Sequence, residues 1–240
     1  MSAGKIRPKT ATSLDDYGYI AYLFERLFLG LEYAAVLQRL FGLKPRRQHH
    51  QDLIHAGPEE SRDLLVRRNA KRVDSYVLTF VGLEGLLLVW AGVSPQSFQW
   101  EFCRIVLIAI CWYRIVDIVQ NIINRLIFAP MRGLGQNRMA SSVRTLILTI
   151  LAYFEATACF ALLYFVWRGD LSGAGHGIGD CVYFSAITQL TIGYGDIVPA
   201  HGLRAVSVVQ GVLGFFFAVI LVARLISELP KISGDLERRP

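Results

Sequence analysis

Two adjoining stretches decide the reading: Gly179-Asp-Cys-Val-Tyr-Phe-Ser-Ala-Ile-Thr-Gln-Leu190 and, directly after it, Thr191-Ile-Gly-Tyr-Gly-Asp196. The first is apolar and 12 residues long. As a helix it extends about 18 Å, roughly halfway through a bilayer, so it suits a re-entrant segment rather than a span. The second carries two glycines in six residues and cannot continue a helix. On either side lie long apolar runs, residues 146–167 with the single charge Glu155 and residues 205–223 with none. Each meets the roughly 20 residues that a membrane-crossing helix needs. Composition agrees. Of the 240 residues 53% are hydrophobic and only 18% charged, with a mean hydropathy of +0.40. A soluble domain has about 25% charged residues, which sets a soluble enzyme or a disordered chain aside.

Further upstream, residues 75–93 form another apolar run with the single charge Glu84. Residues 102–128 are long and apolar but interrupted by Arg104, Arg114, Asp117 and Arg125, and span only if those charges are paired. The net charge of +6 gathers before residue 75 and at the ends of apolar runs, a juxtamembrane pattern without the basic, aromatic-interleaved stripe of a nucleic-acid binder. The arm before residue 75 holds Arg67, Arg68, Lys71 and Arg72; the loop 94–101 has no Lys or Arg; the loop 129–144 has Arg132, Arg138 and Arg144; the tail has Lys231, Arg238 and Arg239. Basic flanks stay in the cytoplasm, which gives four crossings of the cell membrane with both termini inside. The expected organisation is a basic cytoplasmic region 1–74, a two-span accessory unit 75–128, a unit 145–229 built around the two quoted stretches and a short cytoplasmic tail 230–240. Within the first region Glu25, Glu32 and Arg39 recur every seven residues. Residues 17–42 therefore read as an amphipathic helix that lies on the lipid surface or on a neighbouring protein surface.

Backbone at membrane depth is tolerated only where it lines a cavity or is buried in protein. In residues 191–196 the backbone can be the ligand. A dehydrated cation needs a cage of oxygens in place of its water, and the carbonyls of Thr191, Ile192, Gly193 and Tyr194, with the Thr191 hydroxyl, supply successive layers. For neighbouring carbonyls to point the same way, the dihedrals must alternate in hand. Gly193 and Gly195 accept positive φ at little cost. Ile192 and Tyr194 then point away from the axis and brace against the short helix. The C-terminal end of that helix carries a negative dipole toward the membrane centre. The outer mouth holds Asp170, Asp180 and Asp196 and no Lys or Arg over residues 169–202, which concentrates cations.

This stretch resembles the pore region of tetrameric potassium channels, whose signature is T-V/I-G-Y/F-G-D after an aromatic-bearing pore helix. The resemblance covers residues 146–229. It implies a homotetramer, three identical subunits joining each chain around one central pore, and passive K+ conduction with no organic cofactor. It makes Tyr183 and Phe184 the aromatic cuff of the filter, Thr188 a pore-helix threonine that supports it, and Gly195 and Asp196 its outer end. It also implies an inner helix that bends at a glycine: Gly214, 19 residues beyond Gly195, or Gly211. Close helix packing explains the same two glycines equally well. Phe216, Val219, Ala223 and Ser227 share a helical face that can line the pore, and Pro230 ends the helix. The chain departs from the family at Ile187, where many members carry Glu. Only about ten residues follow Pro230, so no regulatory domain is expected there. Arg104, Arg114 and Arg125 are spaced ten and eleven apart, unlike a voltage sensor.

Glu84, Arg114, Asp117 and Glu155 fall midway in their apolar runs and are expected to meet, Arg114 pairing with Glu84 or Glu155. The cluster reads either as a clamp or as a pH or voltage switch. His49, His50 and His55 read as solvated side chains, with no cysteine near enough to complete a metal site. Cys103 and Cys181 would lie near the outer face, and nothing in the sequence sets their separation. The fold expected is thus an all-α membrane protein: four transmembrane helices, a re-entrant pore helix with its filter, and an N-terminal amphipathic helix. The alternatives are a less selective monovalent cation channel, opposed by Tyr194 and Gly195, and a potassium uptake transporter, which fuses four such units in one longer chain. No H-E-x-x-H, G-x-S-x-G or Walker motif suggests an enzyme.

Overall fold

A computed structural model describes residues 59–123, 139–173 and 177–228. The stretch 17–42, the histidines at 49, 50 and 55, residues 124–138 and the tail after 228 lie outside the described residues. The chain divides into two compact units, Met1–Asn137 and Arg138–Pro240. Three described helices are long and apolar enough to cross a membrane, and the fold is that of a multi-pass, helical membrane protein.

In the first unit, α1 (Glu59–Val93) is 35 residues long. Its apolar stretch Ala70–Val93 is one of the three. The polar, basic connector expected before residue 75 is helical from Glu59. The helix ends where Ser94 N donates to Trp90 O (2.8 Å) and Pro95 opens a single 3-10 turn, Pro95–Gln99. Phe98 of that turn is buried against the Trp90 ring, centroids 5.3 Å apart. The chain then reverses into α2 (Glu101–Ile123), with Glu101 in the first turn, where the helix dipole favours an acid. At 23 residues α2 is long enough to span, but it carries Glu101, Arg104, Arg114 and Asp117 and is not among the three apolar helices.

In the second unit, α3 (Met139–Val166) has its apolar part at Leu146–Val166, and α5 (Leu203–Glu228) at Leu203–Ala223. Between them lies α4 (Ile178–Gln189), 12 residues and about 18 Å, too short to span. It packs against both long helices, antiparallel to α3 and parallel to α5. The strands among the described residues form one ribbon of β1 (Leu171–Ser172) and β2 (Val198–Pro199), pairing Leu171 with Pro199 and Ser172 with Val198. It ties the chain before α4 to the chain after residue 196, so the short helix and the segment that follows form a closed loop between α3 and α5.

Candidate functional site

The short helix α4 is held at both ends. At its start the Asp180 carboxylate accepts from Gly177 N (3.2 Å), an acid on the positive end of the dipole. Asp180, expected to enrich cations at the outer mouth, is thus also a helix cap. At its end Thr191 N donates to Thr188 O (3.1 Å) and Ile192 N to Ile187 O (2.8 Å). These are the two bonds of a Schellman motif, which requires a left-handed residue at the position of Thr191. Thr191 has φ +58°. Glycine normally takes that place; for a β-branched residue the conformation costs about 1–2 kcal/mol. Gly193 N also reaches Ile187 O, at 3.3 Å. The first residues after the helix are therefore fastened to its last turn.

Within residues 191–196, Gly193 (φ +56°) and Gly195 (φ +78°) are left-handed while Ile192 and Tyr194 are not. The hand alternates from 191 through 195, beginning one residue earlier than the glycines require. A Cβ on Gly193 or Gly195 would meet nothing within 4 Å, so backbone conformation alone demands glycine there. All six residues are exposed in the single chain. Tyr194 is 71% and Ile192 47% exposed, so neither is braced by its own short helix, contrary to the expectation from sequence. At the outer end the Tyr183 hydroxyl donates to Asp196 Oδ2 (2.8 Å). Phe184, beside it, turns inward and meets the Tyr164 ring edge-on, centroids 4.8 Å apart. The two aromatic residues thus have different duties. Gly173 (φ +87°) lies so close to the Asp196 carbonyl that any Cβ would collide with it, which adds a second stitch beside the ribbon.

Behind α4 lies a buried polar cluster that no sequence motif marks. The Tyr164 hydroxyl of α3 donates to Gln210 Oε1 of α5 (2.7 Å) and lies 3.2 Å from Ser207 Oγ. Gln210 Nε2 donates to Ser185 O (3.0 Å) and Ser185 Oγ (2.8 Å) of α4. Ser185 Oγ donates to Thr157 O of α3 (2.7 Å). One turn further along, Gly214 packs on the Gln189 backbone; a Cβ would collide with the carbonyl oxygen and lie 3.0 Å from its carbon. Gly211 has nothing within 4 Å of such a Cβ. Close packing therefore accounts for Gly214 and not for Gly211. The Gln189 side chain is buried, and its amide has no hydrogen-bond partner among the described residues. Phe216, Val219 and Ala223 are exposed in the single chain; the Ser227 side chain lies outside the description.

Residues 147–230 match the sequence model of a family described as “Ion channel”. These residues are an ion-channel domain. A relative among the curated proteins, Protein LctB of Geobacillus stearothermophilus, is 27% identical over 79 residues, 28% of this chain and 59% of that protein. The alignment thus spans less than two thirds of the relative's own length. No solved structure matches the chain. The ion-channel domain begins just inside α3 and ends two residues after α5, so it takes in the short helix, residues 191–196 and the buried cluster together. Such a match points to an ion channel and not to an enzyme.

Of the other sequence-predicted charges, Glu84, Arg114 and Asp117 precede residues 147–230 in the chain and Glu155 falls within them. In the first unit Arg114 Nη1 meets Asp117 Oδ2 at 2.7 Å, one turn apart on α2, both side chains buried. The sequence expectation brings Arg114 and Asp117 together with Glu84 and Glu155; Arg114 and Asp117 form an ion pair. A pair spaced by three residues closes on one helix face without assembling separate helices. The Tyr76 hydroxyl of α1 donates to the same Asp117 oxygen (3.0 Å), and Asn121 Nδ2 donates to Oδ1 (3.1 Å). The guanidinium lies over the Tyr76 and Phe80 rings, 5.1 and 4.7 Å from their centroids. Glu84 is buried in the first unit and Glu155 in the second. All four cysteines are free, Cys103 half-buried and Cys181 fully buried. Among the described residues no group of His, Cys, Asp and Glu could hold a metal ion.

Proposed function

We propose that the chain is a subunit of a homotetrameric potassium channel in which residues 191–196 of four copies line one selectivity filter. The observation that carries this reading is the alternating hand of residues 191–195 in a segment left wholly exposed by its own chain. Alternation turns successive carbonyls the same way, and one carbonyl per layer cannot replace the hydration shell of K+; four symmetry-related chains can. The Thr191, Ile192, Gly193 and Tyr194 carbonyls, with the Thr191 hydroxyl, are the ligands. Three further copies would also cover Tyr194 and Ile192. Gly195 and Asp196 form the outer end, with the Tyr183 bond as its brace, and Phe184 and Thr188 back it from the pore helix. In this reading α2 is a fourth crossing made possible by the Arg114–Asp117 pair, and both termini are cytoplasmic in the cell membrane.

Purified protein in liposomes should release K+ down its gradient and retain Na+. Gly193→Ala should abolish the K+ flux while assembly persists, because a Cβ at positive φ costs about 1–2 kcal/mol in every copy and turns the carbonyl out of line. Unchanged K+ over Na+ preference in that variant would end the filter assignment. For topology, cysteines introduced at Ser97 and Gly169 should react with an impermeant reagent from outside, and those at positions 60, 135 and 235 from inside. Position 169 is open where 173 is not. Labelling of 135 from outside would remove α2 as a span.

A further inference from the structure

Gln210 stands in the middle of an apolar helix and is completely buried, yet each polar atom of its amide is used. The hydrogen bonds run in one direction: Tyr164 donates to Gln210, Gln210 to Ser185, Ser185 to Thr157 O. Reversing the amide would set its oxygen against the Ser185 carbonyl, so the orientation is unique. The bonds pass from α3 to α5, from α5 to α4 and from α4 back to α3, so the short helix is bonded to both long ones. The Ile187 side chain, between the bonded Ser185 and the filter, is buried and apolar, so its polar contribution is its carbonyl alone, which accepts from Ile192 N and Gly193 N. From Ser185 one turn of α4 leads to Gln189, under Gly214, and the last turn is bonded directly to Ile192 and Gly193. Every link between Gln210 and the first ligand carbonyls is thus a hydrogen bond, a helix turn or a packed backbone contact.

We propose that Gln210 is a positioning residue of the ion site: its amide fixes where α4 sits between α3 and α5, and so sets the ring of carbonyls that residues 191–194 present. This rests on the reading of those residues as a potassium filter. Outer partners that orient the ligands of a metal ion are worth about 10- to 100-fold in affinity or activity, and removal of Gln210 should act on that scale. A residue that only staples helices would change stability and the number of working channels while each channel kept its preference. A positioning residue changes the preference itself.

The test uses the full chain in liposomes, with the K+ to Na+ permeability ratio as the readout and thermal stability measured alongside. Gln210→Leu, similar in volume and without hydrogen bonds, should lower the ratio about 10- to 100-fold. Tyr164→Phe, which removes one oxygen, should lower it less, and the double variant should be no worse than Gln210→Leu, since both cut the same chain of bonds. A wild-type ratio in Gln210→Leu overturns the proposal, even if that variant is less stable. Should Gln210→Leu fail to assemble, Tyr164→Phe decides alone: a lowered ratio supports the proposal and an unchanged one overturns it. Wild-type protein without K+ over Na+ preference would instead overturn the filter reading, and the role of Gln210 with it.

Discussion

The two units bury polar groups in apolar helices by opposite means. In the first, a full positive and a full negative charge meet within α2, and Tyr76, Phe80 and Asn121 close around them. In the second, the buried cluster of Tyr164, Ser185 and Gln210 is neutral and stretches over three helices. The difference follows from energetics. A buried charge left alone is so costly that its partner must be at hand whatever the tertiary arrangement, and a spacing of three residues on one helix secures that. Hydroxyls and amides cost less when unmet, so their bonds can be left to depend on, and to report, the exact seating of separate helices. Charges guard a helix; neutral bonds set positions between helices.

Removing one member of each kind should separate them. Arg114→Ala strands Asp117 and should cost about 3–5 kcal/mol of stability, seen as a sharply lower unfolding temperature of the purified protein. Arg114→Met combined with Asp117→Leu should recover most of the loss; if it recovers nothing, the pair is not the feature that matters. Gly214→Ala should come next, at about 1–3 kcal/mol from overpacking against the Gln189 carbonyl, with Gly211→Ala nearly silent. If Gly214→Ala leaves stability unchanged but blocks opening, a hinge explains that glycine better than packing does. Smallest, and opposite in sign, is Gln189→Met. Its amide makes no hydrogen bond among the described residues, so an apolar side chain of similar size should leave stability unchanged or raise it by up to about 1–3 kcal/mol. A marked loss would mean that the amide has a partner in the membrane, and the contrast between two buried glutamines one helix apart would dissolve.

Much of the second unit was legible because its signals are local. The half-length apolar helix, the Gly-Tyr-Gly core and the two flanking runs can each be read within a window of about 20 residues. The left-handed Thr191 was not legible, since its conformation comes from the capping bonds of α4 and not from its side chain. Neither was the Gln210 cluster. A lone Gln in an apolar run has no period, and its partners lie 25 and 46 residues away in sequence. Gly173 carries no mark in the sequence; the nearness of the Asp196 carbonyl distinguishes it. The charges were legible as a cluster because each falls midway in an apolar run; the Arg114–Asp117 pair, one turn apart on α2, is the part of that cluster set by local spacing alone.

The Gln210–Ser185 and Gly214–Gln189 contacts are four residues apart on both helices, which run in the same direction. That shared step restricts how α5 can move. Sliding along α4 by a fraction of a turn breaks the Gln210 bonds and moves Gly214 off the Gln189 carbonyl. A slide of a whole turn, about 5.4 Å, would set Gln210 or Ala218, each with a Cβ, against Gln189 and would restore neither contact. The two helices are pinned in one register and travel as one body.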